Sequence, residues 1–161
     1  MPILHVQATG QGQRLNGTLV QIEPFIALQQ RGPCVQVSIT LEPTVAQALV
    51  QRGERLPSPV TGLALIDTGA SVTCIDAQAA RQLGLAAVNV VQMASASQAS
   101  TEQNVYAIQI EIVGFPIRIQ SLGAVEAELS AQGLVLLIGR DALQMCTLFY
   151  NGPAGEFVLC V

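Results

Sequence analysis

The chain has 161 residues, the length of one domain, enough to bury about two thirds of its unfolded surface around a single core. Half of the residues are hydrophobic and 11% are charged; there is no lysine, and the seven scattered arginines form no basic stripe on a chain of net charge −4, so nucleic acid is not an expected partner. No apolar run approaches the roughly 18 residues that cross a bilayer, and the start MPILHVQATG lacks the basic and apolar regions of a signal peptide, so no membrane partner is expected and the reading is a soluble, cytoplasmic protein.

The expected elements are mostly strands. In RLNGTLVQIEPF the pair Asn16-Gly17 favours a tight turn, and a hairpin is expected there. CVQVSITLE alternates Val35, Val37, Ile39 and Leu41 toward one face, the period of a half-buried strand. Residues 43–61, rich in proline and arginine, read as an exposed loop after one helical turn. LALI (63–66) reads as a buried strand ending at Asp67, with TGAS as a tight turn. DAQAARQLGL reads as a short helix with Gly84 as its C-cap. VYAIQIEIVG carries Val105, Ala107 or Ile108, Ile110 and Ile112 with a slip in phase, and FPIRIQSL is a further strand. A buried strand at 133–138 runs into a short helix at RDALQMC. Two apolar runs around Asn151-Gly152-Pro153-Ala154-Gly155 form the last hairpin. No repeat or domain boundary is visible.

The chemistry narrows by elimination. Four cysteines stand far apart without a C-x-x-C pair, and His5 is the lone histidine, so no metal site is expected; Cys34, Cys74, Cys146 and Cys160 read as reduced thiols, and nothing near Cys74 in sequence lowers its pKa. A nucleophile activated by imidazole would depend on His5 near the chain start, there is no G-x-S-x-G elbow, and lysine chemistry is absent. No phosphate-cradling or dinucleotide-binding glycine loop occurs, so no cofactor is expected. Carboxylates remain, and the aspartates are Asp67, Asp76 and Asp141 alone. Asp67 is the best placed, at the end of a buried run, where Thr68 can lock the turn and Gly69 lets another backbone approach.

LIDTGAS and, some seventy residues later, LLIGRDAL together resemble the retropepsin family, the single-domain aspartic proteases of retroviral type. The resemblance spans residues 63–161. It implies a mainly β fold, a closed barrel-like half with one short C-terminal helix and a flap hairpin, active as a homodimer. Residues up to about 30 would be an N-terminal extension and 43–61 an insertion. Asp67 matches the catalytic aspartate, Thr68 the hydroxyl that links the two catalytic loops, and Gly69 and Ala70 the small residues of the cleft floor. Leu137, Ile138 and Gly139 match the segment that threads beside that loop, and Arg140 the arginine that braces it. Asp141 reads as helix-starting structure. Ser71 stands where retroviral enzymes often carry an acid that pairs with this arginine, leaving a backbone carbonyl or Glu156 as the partner of Arg140.

Such an enzyme needs two carboxylates close enough to share one proton, and neither Asp76 nor Asp141 is followed by Thr-Gly. The second would come from a second copy of the chain across a two-fold axis. Leu148, Phe149, Phe157, Val158 and Leu159 of the last hairpin are the expected dimer contacts. The flap, with Met93, Ala94, Ser95, Ala96 and Ser97 among its residues, would be built from strands near 88–93 and 104–110 with its tip at 94–101. The implied function is aspartic endopeptidase activity on an extended peptide; the alternative is a module of this fold that binds peptides or dimerises without useful turnover.

Overall fold

The computed structural model describes residues 2–14, 16–95 and 98–161, with backbone alone at 94, 95 and 98–100. The chain opens with β1 (Ile3–Gln7) and a small hairpin, β2 (Gln11–Gln13) with β3 (Leu19–Gln21), whose turn carries Gly17 at φ +83°. Helix α1 (Pro24–Arg31) leads into β4 (Cys34–Leu41), and α2 (Pro43–Gln51) into β5 (Val60–Ile66). Next come β6 (Cys74–Asp76), α3 (Ala77–Gln82), β7 (Asn89–Ser95), β8 (Gln98–Ile112) and β9 (Arg118–Ala127). A 3-10 turn at Ser130–Gln132 precedes β10 (Leu134–Ile138), α4 (Arg140–Leu143), β11 (Thr147–Asn151) and β12 (Glu156–Cys160).

Six strands, in the order β4-β5-β10-β6-β9-β8, close on themselves because β8 also pairs with β4; β7 extends β8 outside the ring. Closure removes the unpaired edges that an open sheet would expose. Inward positions alternate as strand geometry demands, with Val35, Val37 and Ile39 on β4, Ile108 and Ile110 on β8, and Leu136 and Ile138 on β10 filling one core. The slip of phase expected in VYAIQIEIVG is absent from β8, which alternates evenly; the register shift opposite Tyr106 and Ile108 places its extra residue on β9, between Ser121 and Ala124. Tyr106, Ile108, Ile110 and Ile112 face that core, whereas Val105 packs in a second, smaller cluster with Cys74, Val125, Leu129 and Leu134.

Three helices precede the expected short C-terminal one. Pro24 and Pro43 sit in the first turns of α1 and α2, where the missing N–H costs nothing and the fixed φ suits a helix. Glu42 caps α2, accepting N–H bonds from Thr44 at 2.8 Å and Val45 at 3.1 Å. Its carboxyl is held below the usual range, chiefly by the Thr44 N–H. The stretch expected as loop after one turn is therefore a nine-residue helix, on which no residue is buried.

A separate sheet, β1-β12-β11, joins the two ends of the chain. It is fixed to α1 at Gly155, where φ is +67° and a Cβ would lie 2.1 Å from the Pro24 carbonyl carbon. β10 determines where the site forms. It lies between β5, which it meets in parallel, and β6, which it meets antiparallel. The turn from β5 to β6 therefore wraps over the end of β10.

Candidate active site

Asp67 follows β5, two positions beyond Leu65, so it continues the face of the strand that carries Leu63 and Leu65, opposite to the buried Ala64 and Ile66. Its own N–H donates to the Ile138 carbonyl at 3.0 Å, which ties the turn to β10. The turn then folds back on the carboxylate. Gly69 N–H donates to Asp67 Oδ1 at 2.8 Å and Ala70 N–H to the same oxygen at 3.2 Å. A Cβ at position 69 would come within 3.0 Å of that oxygen, so glycine leaves room for the bond. Among the described residues, none bonds Oδ2.

The second motif braces this turn from below. Arg140 N–H donates to the Ala70 carbonyl at 3.0 Å, and its guanidinium Nη1 donates to the carbonyls of Thr68 at 2.8 Å and Gly69 at 3.0 Å. Of the two partners expected for Arg140, the backbone carbonyls hold it; Glu156 instead engages His5 Nε2 at 2.9 Å and Asn151 Nδ2 at 3.0 Å. Gly139 is pressed against the neighbouring chain so closely that a Cβ there would lie 2.4 Å from the Val72 carbonyl. Leu137 and Ile138 pair in register with Leu65 and Ile66, with Ile138 in the core and Leu137 half-buried on the Asp67 side.

One member of this assembly carried no signal in the sequence. Buried Thr73 accepts the Gly139 N–H at 3.2 Å and donates from Oγ1 to Asp141 Oδ1 at 2.9 Å, locking the far end of the turn to the start of α4. Asp141 thus faces the back of the turn. Asp76 is also fully engaged: Oδ1 accepts from Gln78 and Ala79 at the start of α3, and Oδ2 from the N–H groups of Leu129 and Ser130. Neither provides a second carboxylate beside Asp67.

The strand face that Asp67 continues is apolar. Leu63, Leu65, Val72 and Leu137 of the barrel pack with Val91 and Met93 of β7 in the second cluster. Burial, and then the carboxylates of Asp141 and Asp67, push the Cys74 thiol up to about 11, so it stays protonated and unreactive near neutral pH. All four cysteines are free. β7 and β8 form the antiparallel hairpin expected around 88–110, with Met93 opposite Thr101 and Ser95 opposite Gln98; Ala94 lies within β7, and Ala96 and Ser97 lie outside the described residues.

The terminal hairpin is also present, as β11 and β12. Phe157 and Leu159 are fully buried in the chain's own core, because alternation on β12 turns them inward. Val158 is half-buried on the opposite face, in register with Phe149, which is 60% exposed; Leu148 is half-buried beside Leu159. Thr68 is exposed, and no described residue bonds its hydroxyl. Among the described residues, no helix is long and apolar enough to cross a membrane.

The family model described as "gag-polyprotein putative aspartyl protease" matches residues 60–145, more than half of the chain, and contains both the Asp67 turn and the Gly139-Arg140 brace. Among solved structures, the chain is similar to a retropepsin-like aspartic protease from Rickettsia conorii, with 10% identity and a TM-score of 0.48 over 98% of this chain and 90% of that one. Comparison with curated proteins gave no match. On the family match, the chain belongs to the gag-polyprotein putative aspartyl protease family, of retropepsin-like type.

Proposed function

We propose that the protein is a homodimeric aspartic endopeptidase in which each subunit supplies one Asp67. The observation that carries this reading is the asymmetry of the Asp67 carboxylate: Oδ1 is held by two backbone N–H groups, while Oδ2 has no partner among the described residues. An oxygen fixed in this way orients the carboxylate, and the other is available to a water and to a second carboxylate. Asp76 and Asp141 are committed elsewhere, so the missing group has to arrive from another copy.

In the dimer, the two Asp67 carboxyls would share one proton, since two like charges about 3 Å apart do not both ionise. The ionised member takes a proton from water as its oxygen attacks the peptide carbonyl, and the protonated member donates to the carbonyl oxygen. Collapse of the tetrahedral intermediate breaks the C–N bond as a proton passes to the leaving nitrogen. The apolar walls at Leu65, Val72 and Leu137 suit apolar side chains on either side of the cut bond, and the β7–β8 hairpin would serve as the flap over them. The exposed Thr68 hydroxyl would reach the partner's turn, and Phe149 and Val158 would meet their counterparts.

Incubation with a diverse peptide library from pH 4 to 7, beside an Asp67→Asn variant, tests catalysis. Cleavage by the parent alone is expected; no cleavage by either would leave the chain a peptide-binding or dimerising module. Sedimentation at micromolar concentration tests assembly, and an active strict monomer would refute the shared dyad.

A further inference from the structure

Helix α2 is apolar in composition yet buries no residue. Its Val45 and Leu49, with Arg52 at its C-cap, look into a groove of about 540 Å³. The opposite wall is the segment after α3 that ends at Val88, and Leu56 closes a side. This volume falls within the usual range for ligand sites. Three of the chain's seven arginines line the groove, namely Arg52, Arg55 and Arg81, against one carboxylate, Glu54. Glu54 engages Arg52 at 2.8 Å, whereas Arg55 and Arg81 form no ion pair among the described residues. A chain of net charge −4 thus concentrates positive charge around an apolar trough.

We propose that this groove docks a peptide segment that carries a carboxylate side chain beside aliphatic ones. Guanidinium groups match carboxylates in a two-pronged geometry, and within the chain the Arg52 guanidinium already holds one carboxylate oxygen of Glu54 at 2.8 Å. Among the described residues no aromatic side chain lines the groove, which disfavours a stacked base. Val45, Leu56 and Val88 remain 44%, 48% and 57% exposed. An alkyl chain would lie half in water there, whereas a peptide can cover these side chains with one face and keep its other face solvated.

The groove sits at the root of the β7–β8 hairpin: the Val88 N–H donates to the Val105 carbonyl at 2.8 Å immediately before β7, and Ala107 of β8 lines the floor. Taking the docked segment as a part of the substrate outside the cut region rests on the protease reading; its binding does not.

The test uses the Asp67→Asn protein, which cannot cut, and two fluorescein-labelled decapeptides centred on Leu-Leu-Glu-Leu or Leu-Leu-Gln-Leu, followed by anisotropy. The Glu peptide is expected to bind at least tenfold tighter, with an affinity that falls as salt rises. Adding Arg55→Gln and Arg81→Gln, both exposed positions, should abolish that preference, with thermal melting as the check on folding. Hydrogen exchange should show new protection at 45–57 and 83–88. Equal binding of the two peptides, a preference that survives both substitutions, or protection confined elsewhere would overturn the proposal. Displacement of the Glu peptide by laurate at lower concentration would also overturn it, in favour of a lipid. Because binding is read without cleavage, failure of the protease reading leaves each result interpretable.

Discussion

Asp67 and Asp76 stand nine positions apart on either side of one turn, and their surroundings separate two uses of the same side chain. Asp76 is 4% exposed, and four backbone N–H groups saturate its two oxygens, joining the start of α3 to the segment before β10. Asp67 has two donors on one oxygen and, among the described residues, none on the other. A saturated carboxylate stabilises the fold and is closed to chemistry; a half-saturated one is oriented and remains open to a reactant. The number of backbone donors aimed at each oxygen, more than burial, distinguishes the two.

Asp67→Asn gives the largest expected effect, a loss of peptide cleavage of a thousandfold or more, about 4 kcal/mol in the barrier. Stability should change by less than about 1 kcal/mol, because the amide oxygen still accepts from Gly69 and Ala70. Denaturant unfolding alongside turnover checks both halves. Asp76→Ala should reverse the pattern: buried N–H groups at two places lose their acceptor, at a cost of about 3 kcal/mol, or roughly 10 °C in melting temperature. A melting curve within a degree or two of the parent would dissolve the contrast.

Gly139→Ala probes what holds the open carboxylate in place. The added methyl meets the Val72 carbonyl at 2.4 Å, so the turn has to shift, with a loss of about 2 kcal/mol and a fall in turnover measured at equal folded fraction. Unchanged turnover would separate the brace from the chemistry. Cys74, between the two aspartates, should alkylate at pH 8 about a hundredfold more slowly in the folded chain than in denaturant, as its raised pKa dictates, read by mass spectrometry.

The smallest effect concerns Glu42, which accepts backbone N–H groups as Asp76 does, but at an outer helix. Its folded pKa lies below the unfolded one, so its contribution is complete above the ordinary carboxylate range and disappears as pH falls through the depressed value. Amide protection at Thr44 and Val45, taken relative to the intrinsic exchange rate at each pH, should fall on acidification in that window, and Glu42→Gln should flatten the response.

The Asp67 turn was legible because its signal is local: an apolar run, an acid, then small residues. The brace was legible as a second motif, but the partner of Arg140 depends on how β10 docks, which no spacing fixes. Helix α2 was obscured by Pro43, which reads as a loop residue unless Glu42 is recognised as the cap that makes it a first-turn proline. The inward turn of Phe157 and Leu159 follows from alternation around Val158, a pattern that the richness of the whole run in apolar residues conceals. Asp76 is half readable: the start of α3 is adjacent in sequence, while Leu129 and Ser130 are more than fifty positions away. Thr73 had no local signature, because its bonds to Gly139 and Asp141 reach 66 and 68 positions along the chain.

The insertion of β10 between β5 and β6 also sets the order of events when the chain is made. Arg140 grips carbonyls 71 and 72 positions earlier, so the turn that presents Asp67 lacks its support until nearly the whole barrel has been synthesised. Contacts of such long sequence separation form late and slowly. The turn that carries Asp67 is therefore fully braced only after β10 has docked between β5 and β6.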